Sequence, residues 1–200
     1  MISATNLLVA ANVIVYVWLS LSGGANDNLS LVRHGALVPA LVWRGEWWRL
    51  VSSAFLHAGL VHIGLNMLAL FQVGTFLERL IGWRRLLAIY TLSLFGGSFA
   101  VLYFSGPYDV TIGASGAIFG VFGALAAIGF RLGRDGRSLI AQTLPIIVLN
   151  LAFGFAVTNI SNAGHIGGLL TGFVATLAIV RVRRRPAQAV AAAEPPGSAG

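Results

Sequence analysis

The run GASGAIFGVFGALAAIGF, residues 113–130, opens beside a serine and then stays apolar for the length of a membrane crossing. AGHIGGLLTGFVATLAIV, residues 163–180, does the same beside a histidine. A spanning helix needs about 20 mainly apolar residues, so Ser115 and His165 stand where lipid is expected. Polar groups at that depth are costly and face a bundle interior or a water-filled cavity, which makes a functional role their default reading. Taken as a pair, a hydroxyl and an imidazole point to nucleophilic hydrolysis inside the bilayer.

The rest of the chain supports the membrane half of that reading. Its 200 residues are 57% hydrophobic and only 10% charged, with a mean hydropathy of +0.84, against roughly 25% charged in soluble domains. About six spans with short connections fit this length, leaving no room for a sizeable soluble domain. The absence of cysteine removes disulfides, thiolate nucleophiles and Cys-ligated metals from consideration. The net charge of +7 comes from arginine alone. These arginines sit at the ends of apolar runs, where membrane topology explains them better than nucleic-acid binding does.

Six spans are predicted: Asn6 to Leu21, Leu50 to Leu80, Arg85 to Phe104, Ser115 to Phe130, Leu139 to Val157 and Gly164 to Val182. The first has no basic segment before it and is not read as a cleaved signal peptide. A polar, glycine-containing loop from Ser22 to Arg49 ends in Trp43, Trp47, Trp48 and Arg49, a composition suited to a membrane interface. Gly82 reads as a helix stop. Residues 1–185 form the membrane domain, and the Ala/Pro/Gly-rich residues 186–200 read as a disordered cytoplasmic tail.

With six spans, both termini and the even-numbered loops share one side. That side holds ten arginines, namely Arg79, Arg84, Arg85, Arg131, Arg134, Arg137, Arg181, Arg183, Arg184 and Arg185, and the other holds Arg33, Arg44 and Arg49. The positive-inside rule then puts both termini in the cytoplasm. Ser115 and His165, each near the start of an out-to-in helix, fall toward the outer leaflet.

Glycines indicate close helix approach. Gly168 and Gly172 share the helical face of His165, while Gly116, Gly120 and Gly123 lie on the fourth span, and small residues let membrane helices approach backbone to backbone. On the second span His62 and Asn66 are spaced i, i+4 and share a face. They suit either interhelical hydrogen bonding or donation to the oxyanion of a tetrahedral intermediate. His57 points elsewhere and reads as structural. His34 carries no functional signal.

Other chemistries are disfavoured. The histidines form no H-E-x-x-H pattern, and no carboxylate lies in the central part of a span, so metal catalysis is not expected. Asp27, Glu46, Glu78, Asp109, Asp135 and Glu194 lie in loops, the tail or a span end; a Ser-His dyad remains where a triad would need an acid. Residues 113–117 also miss the G-x-S-x-G elbow of soluble hydrolases, because position 117 is alanine.

Trp48-Arg49, His57, His62-Ile63-Gly64-Leu65-Asn66, Glu78-Arg79 with Gly82, Gly113-Ala114-Ser115-Gly116, and Gly164-His165 with Gly168 and Gly172 occur in one order. In that order, spacing and depth, over about residues 5 to 182, the chain resembles the rhomboid intramembrane serine proteases of the bacterial six-helix type. The resemblance implies an all-α membrane protein: a six-transmembrane-helix bundle with an interfacial first loop, in a bacterial inner membrane. It implies Ser115 as nucleophile, His165 as base and then acid, and His62, Asn66 and the Ser115 backbone N–H as the oxyanion hole. It also implies a mobile fifth helix or cap that admits substrate. Two departures stand out. Phe119 replaces the tyrosine that many members carry four residues after the nucleophile, and can still stack on the imidazole. Gly164 replaces an alanine.

The function expected is hydrolysis of a peptide bond in or near the transmembrane segment of single-pass membrane proteins, with no cofactor, no metal and no nucleic-acid partner. Segments with helix-breaking residues are the expected substrates, since their backbone is easier to expose. The alternative is a non-catalytic rhomboid-like binder of client helices. A transporter would carry intramembrane carboxylates or an internal repeat, and neither is present.

Overall fold

The computed structural model describes residues 3–25, 27–156 and 161–181. Long apolar runs become helices because, in hydrocarbon, a helix pairs its backbone polar groups within the segment. The order is α1 (Ala4–Leu21), three short helices α2 (Asn28–Arg33), α3 (Pro39–Trp43) and α4 (Arg49–Ser52), then α5 (Gly59–Ala69), α6 (Thr75–Ile81), α7 (Trp83–Phe104), α8 (Ser115–Leu132), α9 (Arg137–Ala156) and α10 (Asn162–Ile179). A π-helical turn, Leu70–Gly74, joins α5 to α6 without ending the helix. The protein is an all-α, multi-pass membrane bundle.

Among the described residues, five helical runs are long and apolar enough to cross a membrane, where the sequence predicted six spans. The difference lies in the run Ser115–Ala152, which is 38 residues long. As one straight helix it would extend about 57 Å, nearly twice a bilayer core of about 30 Å. A 3₁₀ turn at Gly133–Gly136 breaks it into α8 and α9. There the Gly136 backbone packs on Gly129, and Ile140 also lies against Gly129, so the chain folds back on itself. The predicted span ends Val157 and Val182, the arginines at 183–185 and the tail 186–200 lie outside the described residues.

The second span begins at Gly59 rather than at Leu50. Leu50 belongs to α4, its carbonyl accepts the Ser98 hydroxyl at 2.7 Å, and the chain then turns through Ser53–Phe55 into an extended Leu56. The break falls where Ser52, Ser53, His57 and the positive-φ Gly59 interrupt the apolar run, a group of residues that the predicted span carries inside one long helix. The loop from Ser22 to Arg49 likewise folds into α2, α3 and the start of α4 around one buried cation. Arg49 Nη1 donates to the carbonyls of Val32 at 2.7 Å and Ala36 at 2.8 Å, and its guanidinium pairs with Glu46. Trp43, Trp47, Trp48 and Tyr103 are exposed around this loop, an aromatic girdle of the kind found at the lipid–water boundary.

Polarity is inverted relative to a protein in water. Thr5, Asn12, Ser93, Ser98, Thr143 and Thr176 are buried, whereas Ile14, Leu65, Phe104, Leu149 and Val174 face outward. Apolar side chains gain nothing by leaving lipid, so packing must come from close contact and polar bonds. The glycines supply the contact. A Cβ on Gly168 would overlap the Gly116 carbonyl, one on Gly172 the Gly120 carbonyl, and one on Gly167 the Gly96 carbonyl. The backbones of α7, α8 and α10 therefore touch.

Polar bonds fasten the ends. The Glu78 carboxylate accepts the N–H groups of Ala4 and Thr5, each at 2.9 Å, and the Thr5 hydroxyl at 2.6 Å. A negative group at the α1 N-terminus is favoured by the helix dipole, and it ties α1 to α6. At the end of α10, Arg131 of α8 donates to the carbonyls of Leu177 and Val180.

Candidate active site

The residues before α8 set the position of Ser115. Gly113 has φ +105°, a conformation that L side chains rarely adopt, and a Cβ there would come within 2.8 Å of His62 Nε2. Its N–H donates to the Ser53 carbonyl at 2.8 Å, and the next N–H, of Ala114, donates to His57 Nε2 at 3.5 Å. Two residues earlier, Thr111 exchanges a pair of 2.9 Å backbone bonds with Leu37 of the first loop. Ser115 is thus delivered by a turn held on three sides, as the first residue of an 18-residue helix whose leading N–H groups have no intrahelical acceptor.

His165 arrives from α10. Ser161 caps that helix by accepting the Gly164 N–H at 3.2 Å, and the stacked glycines below bring α10 against α8. Ser115 Oγ and His165 Nε2 are 2.9 Å apart, within range for proton transfer from hydroxyl to ring. The imidazole is buried. Phe119, one turn beyond Ser115, lies flat on it with ring centroids 4.2 Å apart and planes 9° from parallel. His165 Nδ1 is buried with no hydrogen-bond partner among the described residues. With Nε2 accepting from the hydroxyl, the neutral ring carries its proton on that Nδ1.

His62 and Asn66 come from α5. The Ala58 N–H approaches His62 Nδ1 at 3.4 Å, which places the ring proton on Nε2, the nitrogen facing Gly113. Asn66 is buried and donates one amide hydrogen to the His62 carbonyl at 3.0 Å; its second N–H makes no bond to the described residues. His57 meets His62 edge to face at 5.0 Å and is fully buried. Its Nδ1 donates to the Phe55 carbonyl at 3.4 Å, leaving Nε2 to accept from Ala114.

One cavity of about 830 Å³ contains His62, Asn66, Ser115, Phe119 and His165 in its wall, together with Leu37 of the first loop, Ser53 of the turn after α4, and Ile146 and Asn150 of α9. The sequence-selected residues therefore converge, from three helices. The hold of His57, Ser53 and Leu37 on the turn before Ser115 was not read from the sequence, and nothing in spacing signals it. Asn150 was also passed over, although a carboxamide in the apolar stretch after Gln142 was a visible sign.

Residues 44–182 match the family model described as the Rhomboid domain. The chain is 43% identical over 180 residues to rhomboid protease GluP of Bacillus subtilis, an alignment covering 88% of this chain and 34% of that protein. It is 38% identical over 148 residues to RHOMBOID-like protein 5 of Arabidopsis thaliana, covering 72% of this chain and 48% of the other. To Rhomboid-type serine protease 2 of Emericella nidulans it is 33% identical over 139 residues, covering 68% of this chain and 27% of the relative. The chain thus spans between about a quarter and a half of the length of these three relatives.

Proposed function

Because the chain belongs to the rhomboid family, we propose that it is an intramembrane serine endopeptidase that hydrolyses a peptide bond in or near the transmembrane segment of single-pass membrane proteins. The observation that carries the reading is the 2.9 Å approach of Ser115 Oγ to His165 Nε2 inside a cavity of an otherwise apolar bundle.

Ser115 Oγ attacks the scissile carbonyl carbon while His165 Nε2 takes its proton. The oxyanion that forms sits at the start of α8, where the Ser115 N–H, His62 Nε2–H and the second Asn66 N–H converge as donors whose value is greatest where charge develops. The imidazolium then returns the proton to the leaving amine. A water, deprotonated by the same nitrogen, releases the acyl group from Ser115. No acid orients His165 in this scheme. Phe119 and the tight seating of α10 hold the ring instead, which makes the pair a dyad.

The membrane domain extends over residues 1–185 with six spans and both termini in the cytoplasm of a bacterial cell, followed by a tail at 186–200. Substrates are membrane proteins with a segment that unwinds readily near the outer leaflet, and water reaches Ser115 from that side. The test is cleavage of a model transmembrane substrate in liposomes. Ser115→Ala and His165→Ala should each lower turnover by a factor on the order of 10⁶, since members of such a unit fail together, while Ser115→Ala still captures substrate. Equal cleavage by wild type and Ser115→Ala would end the protease reading. Capture without cleavage by the wild type would make the chain a non-catalytic binder.

A further inference from the structure

Among its described residues, α9 places Ile146 and Asn150 in the wall of the Ser115 cavity, one helical turn apart. Their neighbours Val148 and Leu149 are apolar and exposed, as a lipid-facing surface requires. Asn150 is the polar exception. Its Nδ2 donates to the Ile146 carbonyl at 2.8 Å, which fixes the direction of the carboxamide and identifies which end carries the hydrogens. Oδ1 and the second N–H are left without a bond to the described residues. Asn150 is itself exposed, so both groups are open to a partner that enters the cavity, and a carboxamide facing hydrocarbon with open hydrogen-bonding groups is costly until one does.

A substrate segment within reach of Ser115 has that need in complementary form. Its backbone must leave the helix for the scissile carbonyl to be attacked, and each freed N–H and C=O then needs a new partner in place of its helical one. Ser115, His62 and Asn66 engage the reacting carbonyl in the proposed mechanism, so the flanking peptide groups must be met by other parts of the wall. Asn150 offers one acceptor and one donor on a helix that supplies none of the reacting groups. Pro145, at the preceding turn, lacks an N–H and leaves the Ala141 carbonyl without its usual helical donor. The Ile146–Asn150 turn is therefore less firmly tied to the first half of α9 than an unbroken helix would make it.

We propose that Asn150 is a substrate-binding residue whose carboxamide hydrogen-bonds the unwound backbone of the substrate on the α9 side of the cavity. This rests on the proteolytic reading of Ser115 and His165. It recognises backbone rather than side chain, so it favours segments that unwind and is indifferent to their sequence.

The experiment is steady-state cleavage of a transmembrane substrate by the full chain in liposomes, with KM expressed as a substrate-to-lipid ratio, alongside the rate at which a fluorophosphonate probe labels Ser115. Asn150→Leu keeps the size and removes both hydrogen-bonding groups. It should raise KM about five-fold or more, the worth of one hydrogen bond, with kcat and probe labelling within about two-fold of wild type. Asn150→Gln, which restores a carboxamide, should bring KM back toward wild type. An unchanged KM in Asn150→Leu would overturn the assignment. So would a joint fall in kcat, labelling rate and thermal stability, which would mark Asn150 as structural. A wild type that neither cleaves nor labels would instead remove the protease reading on which the assignment stands.

Discussion

The two sides of the bundle are built on different terms. Where α8 meets α7 and α10, glycines bring backbone onto backbone, and a Cβ at Gly168 or Gly172 would strike a carbonyl of the facing helix. On α5 and α9 the outward faces carry large apolar side chains, among them Leu60, Val61 and Leu65 on one and Val148 and Leu149 on the other. Gly64 of α5 has open space where its Cβ would be. The glycine-packed side holds the Ser115–His165 distance, which tolerates little error; a shift of about 1 Å in a reacting group can cost 10²-fold in rate. The α5 and α9 walls border the same cavity and present only side chains to the lipid. Backbone-to-backbone packing is thus concentrated where Ser115 and His165 meet, and side-chain surfaces form the α5 and α9 walls of the cavity.

The comparison breaks first if the tight side can be loosened without penalty. Gly168→Leu should push α10 from α8 and lower kcat/KM by at least about 10²-fold, together with a fall in the thermal unfolding midpoint. Full activity in that variant would show that the helix contact does not set the Ser–His geometry. Removing one donor from the α5 wall is expected to cost less than losing the nucleophile. Asn66→Ala and His62→Ala should each reduce kcat by about 10²–10³ with folding intact, measured by cleavage and by circular dichroism. Wild-type kcat in the Asn66/His62 double variant would reduce both to helix packing. The smallest effect is predicted for the mirror of the first change: Gly64→Ala, on the open face, should leave cleavage within about two-fold of wild type. A large loss there would mean that α5 has a tight partner after all.

Legibility in the sequence followed the same division. The spans, the glycine faces and the i, i+4 pair on α5 are regular patterns of short range, and helical periodicity translates them directly into faces. That Ser115 and His165 meet depended on α8 and α10 stacking, which the matched spacing of Gly116 and Gly120 against Gly168 and Gly172 made readable. The break at Leu56–Ala58 was missed although Ser52, Ser53, His57 and Gly59 mark it, because the apolar residues between them continue the pattern of a span. The hold on the Gly113–Ala114 turn was hidden for a different reason. It runs through single long-range bonds from Ser53, His57 and Leu37, and such bonds leave no periodic trace. The fold-back at Gly133–Gly136 lay between, announced by glycines and arginines within a run that stays helical almost throughout.

The central claim is that Ser115 is a nucleophile activated by His165. Its most direct test is to treat the full chain in liposomes with a fluorophosphonate and locate the adduct by peptide mass spectrometry. The account predicts one adduct, on Ser115, that disappears in His165→Ala even though the serine is still there. An adduct on a different serine, or undiminished labelling of Ser115 without His165, would contradict it.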